Sequence, residues 1–204
     1  MESMTITDQR KKVHPHKFLL WMAIGSIAMM FAGLTSGYVV KEAAGNWRNF
    51  HLPIVFWVST AVILLSSVTI ALGLKAFRSR EMPKYKQFIT LTLLLGLTFG
   101  ALQFLGFYQL YSQPQQVVIS GEVINRMLPV TLSGNPAESF LFIIFGIHLL
   151  HILGGIIALT IVFFRAFRKR VKVYNATGLE IVATYWHFVD ILWVYLFIFF
   201  LANQ

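Results

Sequence analysis

ATYWHFVDILWVYLFIFF, Ala183 to Phe200, is apolar almost throughout, with Asp190 in its middle and His187 one helical turn earlier. A run of this length spans a bilayer as a helix, since about 18 to 20 apolar residues cross a hydrocarbon core of about 30 Å. A carboxylate at such depth costs at least about 2.5 kcal/mol. The stretch therefore fixes a membrane fold and raises a question about its own acid.

Four further runs resemble it. The five spans read as roughly Phe18–Val40, Leu52–Leu74, Phe88–Tyr111, Ser139–Phe164 and Ile181–Leu201. Each is too long for a barrel strand, which needs only about 10 alternating residues. In a chain of 204 residues, 57% hydrophobic and 12% charged, five spans leave no room for a second domain. The expected fold is an all-α integral membrane bundle of five transmembrane helices in one domain, 1–204. The first apolar run exceeds the roughly 7–15 residues of a signal-peptide core, so it reads as a retained helix.

The net charge of +9 raises the possibility of a nucleic-acid partner, and its distribution argues against one. Arg10, Lys11, Lys12 and Lys17 precede the first span. Lys75, Arg78, Arg80, Lys84 and Lys86 fill the second connection; Arg165, Arg168, Lys169, Arg170 and Lys172 fill the fourth. Only Lys41, Arg48 and Arg126 fall on the other side. This alternation is the positive-inside pattern and places the N-terminus in the cytoplasm and the C-terminus outside. Basic clusters beside anionic head groups need no nucleic acid. Trp47 and Trp57 fit the outer aromatic belt and Trp21 the inner one. The longest loop, about Ser112 to Glu138, lies outside and is expected to pack over the helix ends.

There is no cysteine, which removes thiol chemistry and thiolate metal sites. No phosphate-binding glycine loop, GxSxG or HExxH occurs. Ser66, Ser67 and Thr69 read as hydroxyls bonded to their own preceding turn. Gly33 with Gly37, Gly96 with Gly100, and the Gly154–Gly155 pair are small-residue sites where helices approach closely in lipid.

The polar residues within the spans are few. At about 1.5 Å per residue, Asp190 lies about 16 Å and His187 about 12 Å from the inner end of the fifth span. His148 and His151, three apart and so on one face, reach the same two depths on the fourth span. The two helices are joined by a short connection. Asp190, His187, His148 and His151 are thus expected to form a buried polar cluster, with Glu180 near the inner boundary. Three uses are open to it: interhelical hydrogen bonding, a proton relay, or metal or haem ligation. The histidine spacing is weak for ligation, and no metal, cofactor or catalytic residue is assigned. Trp186 and Trp193 flank Asp190; their N–H groups either bond the carboxylate or the rings simply pack.

Particular motifs extend the reading. YWHFVD, Tyr185 to Asp190, followed by Trp193 and preceded by Gly178 and Glu180, resembles the last helix of subunit III of haem–copper terminal oxidases, in the short, five-helix bacterial form. FGIHLLHILGG, Phe145 to Gly155, is similar to its preceding histidine-bearing helix. Gly96, Phe99 and Gln103, and the segment Leu52 to Thr69, resemble earlier helices of that family. Two positions depart from it: Gly106 stands where the family often has a buried glutamate, and Ser59 where asparagine is usual. The two additional N-terminal helices of longer members are missing.

The resemblance implies a non-redox subunit of an enzyme that reduces oxygen to water and pumps protons, with cytochrome c or quinol as donor. It would stabilise subunit I, hold phospholipid and support proton uptake in a bacterial inner membrane. Subunits I and II would be its partners, with haem and copper in those partner subunits. His148, His151, Glu180, His187 and Asp190 would then be a structural or proton-related core. The rival readings are an accessory subunit of nitric oxide reductase, a free-standing proton conductor and a membrane cytochrome.

Overall fold

The computed structural model describes residues 15–43, 52–112, 115–119, 122–126, 136–168 and 176–203. These form α1 (Pro15–Ala43), α2 (Val55–Arg78), α3 (Met82–Ser112), β1 (Gln115–Ile119), β2 (Glu122–Arg126), α4 (Pro136–Phe167) and α5 (Thr177–Ala202). Five helices among the described residues are long and apolar enough to cross a membrane. Several run past the apolar stretches that announce them. α3 starts at Met82 rather than Phe88, with Pro83 in its first turn, and α4 continues to Phe167. Hydropathy reports where lipid ends, whereas the backbone stays helical into the polar zone because its N–H and C=O groups still bond each other there. Pro83 is tolerated because first-turn N–H groups have no partner within the helix.

One addition to the helical plan lies in the long loop. β1 and β2 pair antiparallel, Gln115 with Arg126 through Ile119 with Glu122. The residues are β-branched runs on either side of Ser120-Gly121, a two-residue hairpin signal. Residues 127–135 of the same loop, Trp47, Arg48, the first 14 residues and the Lys169–Lys172 segment lie outside the described residues.

α2 and α3 are joined by the tightest connection. The Arg80 N–H reaches the Phe77 carbonyl at 3.1 Å and the Glu81 N–H the Ala76 carbonyl at 3.0 Å. This is a Schellman ending, and Arg80 occupies its left-handed position at φ 60°. A side chain there crowds the following carbonyl, so Arg80→Gly is expected to raise thermal stability by about 1 kcal/mol or somewhat less. Thermal unfolding in detergent, compared with an Arg80→Ala control that keeps the strain, checks this.

The helices pack as a ring with an attachment. α2 lies against α3, α3 against α4, α4 against α5, and α5 against α2. α1 lies outside the ring on α4 and α5 and does not approach α2 or α3. α5 closes the ring and sends large side chains into its centre. Its Leu179, Trp186, Trp193 and Phe200 are all buried and recur every seventh residue, the spacing that keeps one seam of a helix turned toward its neighbours.

Each of these levels has its own packing. The Trp186 indole sits between α3 and α4: a Cβ on Gly96 would come within 2.9 Å of it, and one on Gly155 within 2.9 Å on its other side. These glycines therefore accommodate a ring, rather than the backbone of a second helix. One level along, Trp193 stacks on His148 at 5.3 Å and 20°, with Phe99 edge-on at 5.9 Å. Phe200 then stacks on Phe145 at 5.3 Å. Gly33 on α1 has no atom near the position a Cβ would occupy, and Gly37 meets the Phe140 ring.

Candidate functional site

At four positions α5 carries a polar group toward α2, and α2 meets it with a hydroxyl or a cation. Trp193 Nε1 donates to Thr60 Oγ1 at 2.9 Å, and Trp186 Nε1 donates to Ser66 Oγ at 3.0 Å. His187 Nδ1 lies 2.6 Å from Ser67 Oγ. At the end of the seam the Glu180 carboxylate receives Arg78 at 2.7 Å and, from α1, Lys17 at 2.6 Å. The pattern has a spacing rule. Ser59, Thr60, Ser66 and Ser67 repeat at seven residues on α2, as Trp186 and Trp193 do on α5, so the two ladders stay in register along the contact. That repeat was the signal available in the sequence. Read one at a time, these residues look like hydroxyls bonded to their own helix, which Thr60 also is, through Phe56 O at 2.7 Å.

The tryptophan N–H groups are thus satisfied by α2, and neither bonds Asp190. Asp190 is 3% exposed, and neither carboxylate oxygen has a hydrogen-bond partner among the described protein atoms. Its nearest ionisable neighbour is His187, whose Nδ1 is 3.9 Å from Oδ2, beyond hydrogen-bonding distance. The α4 histidines make different contacts. His148 is fully buried with both ring nitrogens unbonded, stacked on Trp193 and edge-on to Phe31 of α1 at 6.5 Å. His151 Nδ1 lies 2.8 Å from the Ile147 carbonyl, its ring packs on Phe31 at 5.8 Å, and its own carbonyl accepts from the Tyr185 hydroxyl at 3.1 Å.

The hydrogen bond that would join Asp190 to an α4 histidine is therefore not made. Matched depth fixes height along the bundle and leaves rotation about the helix axis open, and here rotation decides the partners. The residues divide into two groups: His187, Ser67 and Asp190 at the α2–α5 contact, and His148 with His151 under α1. Among the described residues, no three His, Asp or Glu side chains converge on a common point. Trp21 and Trp57 are both more than half exposed, as belt residues are, though Trp57 also meets Phe197 edge-on at 4.9 Å.

Two further polar or small residues are placed by α3. Gln103, fully buried, donates from Nε2 to Ser59 Oγ at 3.0 Å. Gly106 is occupied from α2: a Cβ there would lie 2.6 Å from Phe56 Cε1.

Residues 46–202 match the family described as cytochrome c oxidase subunit III. The chain belongs to that family. Among its relatives, a probable cytochrome c oxidase subunit 3 of Nocardia farcinica is 31% identical over 185 residues, covering 88% of this chain and 82% of the relative. The cytochrome c oxidase subunit 3 of Bacillus sp. PS3 is 24% identical across 89% of this chain and 83% of the relative. A probable quinol oxidase subunit 3 of Staphylococcus aureus is 27% identical across 96% of this chain and 92% of the relative. The chain is thus a multi-pass terminal oxidase subunit III, a protein that assembles with other oxidase subunits. The resemblance carried by Tyr185–Asp190 and Phe145–Gly155 is borne out. Those two segments supply the centre of the ring and its α4 wall. At Gly106 of this subunit III the space a side chain would take is filled by the Phe56 ring.

Proposed function

We propose that this chain is the non-redox subunit III of a proton-pumping oxidase in a bacterial plasma membrane, joined to subunits I and II. The family match across residues 46–202 carries this reading. In this reading haem and copper reside in the partner subunits, and the chain stabilises subunit I, holds phospholipid and supports proton uptake. The end bearing Lys17, Arg78 and Glu180 faces the cytoplasm, in keeping with the positive-inside bias, and the C-terminus lies outside. Relatives named for cytochrome c and for quinol oxidases match to similar extents, so donor choice is assigned to other subunits.

Gentle detergent purification followed by mass spectrometry of the partners tests the reading. Stoichiometric subunits I and II are expected. Co-purification with a nitric oxide reductase, or a chain that purifies alone, would overturn it.

Within this role, Asp190 is assigned to proton supply rather than to holding the helices together. A buried acid without a hydrogen-bond donor adds little to stability, because desolvation opposes whatever it gains. The stabilising polar contacts are the Trp–hydroxyl bonds beside it. Asp190→Asn keeps the shape and removes the ionisable group. It is expected to leave thermal stability within about 1 kcal/mol of the parent and to leave the oxidase haem spectrum unchanged. Steady-state turnover should fall, with the deficit widening at alkaline pH, where protons are scarce. A loss of stability with normal turnover would return Asp190 to a purely structural role.

A further inference from the structure

α1 is held very unevenly. Its three buried residues, Phe31, Thr35 and Tyr38, all lie in its second half. There Thr35 Oγ1 meets the Tyr195 hydroxyl at 2.7 Å, and the Tyr38 ring packs on Phe199 at 5.2 Å and on Phe200 at 5.9 Å. From Pro15 to Met30 no residue is buried; Lys17, Leu20, Ile24 and Ile27 form a half-buried stripe facing the bundle. Among the described residues, the one ion pair of this half joins Lys17 to Glu180.

Behind that half lies a cleft of about 330 Å³, bounded by α1, α2 and α5. Lys17, Arg78 and Glu180 stand at its polar end, Trp21 and Leu74 on its walls, and His187 also lines it. Because α1 and α2 do not pack together, Glu180 is the side chain that links them, one carboxylate oxygen to each cation. Where the two halves of α1 meet, Gly25 is followed by Ser26, a pair at which helices bend readily, and no atom lies within 4 Å of a Cβ placed on Gly25.

We propose that the first half of α1 is a hinged flap over the cleft, latched by the Lys17–Glu180 ion pair and turning at Gly25–Ser26, and that its release widens aqueous access to His187, whose side chain is 37% exposed with the latch closed. The second half is the fixed arm, fastened by aromatic and hydroxyl contacts. The latch suits a reversible closure. Lys17 is 39% exposed, and an ion pair that exposed weakens as salt rises. Arg78 has a different part: α2 is already held by α3 and α5, so its bond to Glu180 orients the carboxylate without tethering a loose element.

The absence of native cysteine allows paired spin labels in the full chain in lipid nanodiscs. One pair, Leu19→Cys with Gly178→Cys, reports the latched end; a second, Val40→Cys with Ile198→Cys, reports the fixed end. Lys17→Met is expected to add a longer-distance component at the first pair only and to raise carbethoxylation of His187, read by mass spectrometry. High salt should produce the same component in the parent. Arg78→Met should leave the first pair unchanged, and Gly25→Ala should suppress the longer component in the Lys17→Met background. Equal responses to Lys17→Met and Arg78→Met would mean general loosening and overturn the flap. An unchanged first pair, or a lengthened one without increased His187 labelling, would overturn it too.

Discussion

Gly155→Val is expected to destabilise the isolated chain by about 3 kcal/mol or more, while Gly154→Val, one residue away, is nearly neutral. A Cβ at Gly155 would lie 2.9 Å from Trp186 Cε3 and Cζ3, well inside contact distance. The indole cannot withdraw, because its opposite edge already lies as close to the Cβ position of Gly96. Its Nε1 is bonded to Ser66, so tilting the ring also breaks a buried hydrogen bond. At Gly154 the nearest atom is the Tyr185 hydroxyl at 3.6 Å, an ordinary contact. Thermal or denaturant unfolding in a fixed detergent checks the pair. Combining Gly155→Val with Trp186→Leu should recover part of the loss, a coupling read from a double-mutant cycle. Equal effects at 154 and 155 would show that general helix crowding, rather than the indole, sets the cost.

Placing a glutamate at Gly106, the residue the resemblance leads one to expect there, supplies the second large effect. Gly106→Glu is expected to cost about 3 kcal/mol or more and to prevent accumulation of folded chain. The added Cβ would meet Phe56 Cε1 at 2.6 Å, and Phe56 is fully buried against Phe145 at 5.4 Å and Trp193 at 5.6 Å. The clash is backed by two more rings, and the new carboxylate would enter an aromatic layer. Phe56→Ala in the same chain makes room, so the double variant should be more stable than the sum of the single losses, by about 1–3 kcal/mol. Expression level and unfolding midpoint report this directly. Additive losses would mean that Phe56 does not set the cost at Gly106.

These two sites also mark what the sequence could and could not disclose. The spans were legible because lipid imposes a length and an apolar composition on any helix that crosses it. Motifs on α4 and α5 carried the family, and their glycines marked close packing. What those glycines pack against was not legible: Gly96 and Gly155 take the indole of Trp186, which is distant from both in the chain. The filling of the Gly106 site by Phe56 was likewise hidden, since Gly106 displays only a missing side chain and Phe56 is unremarkable in an apolar run. For Asp190, depth could be reckoned from helical rise, but its neighbours depend on rotation about two helix axes. The hydroxyl ladder of α2 was present in the spacing of Thr60 and Ser67, yet each residue alone had a sufficient local explanation.

The seven-residue ladder of α5 also bears on how the protein is made. The ribosome delivers α5 after α2, α3 and α4, yet those three helices have their glycine notches and serine hydroxyls shaped around it. Until translation reaches Trp186 and Trp193, the earlier helices surround a gap that only lipid or the insertion machinery can occupy. Closure of the bundle is therefore a late event of biogenesis, and a chain stalled before Trp186 should be a substrate for membrane proteolysis.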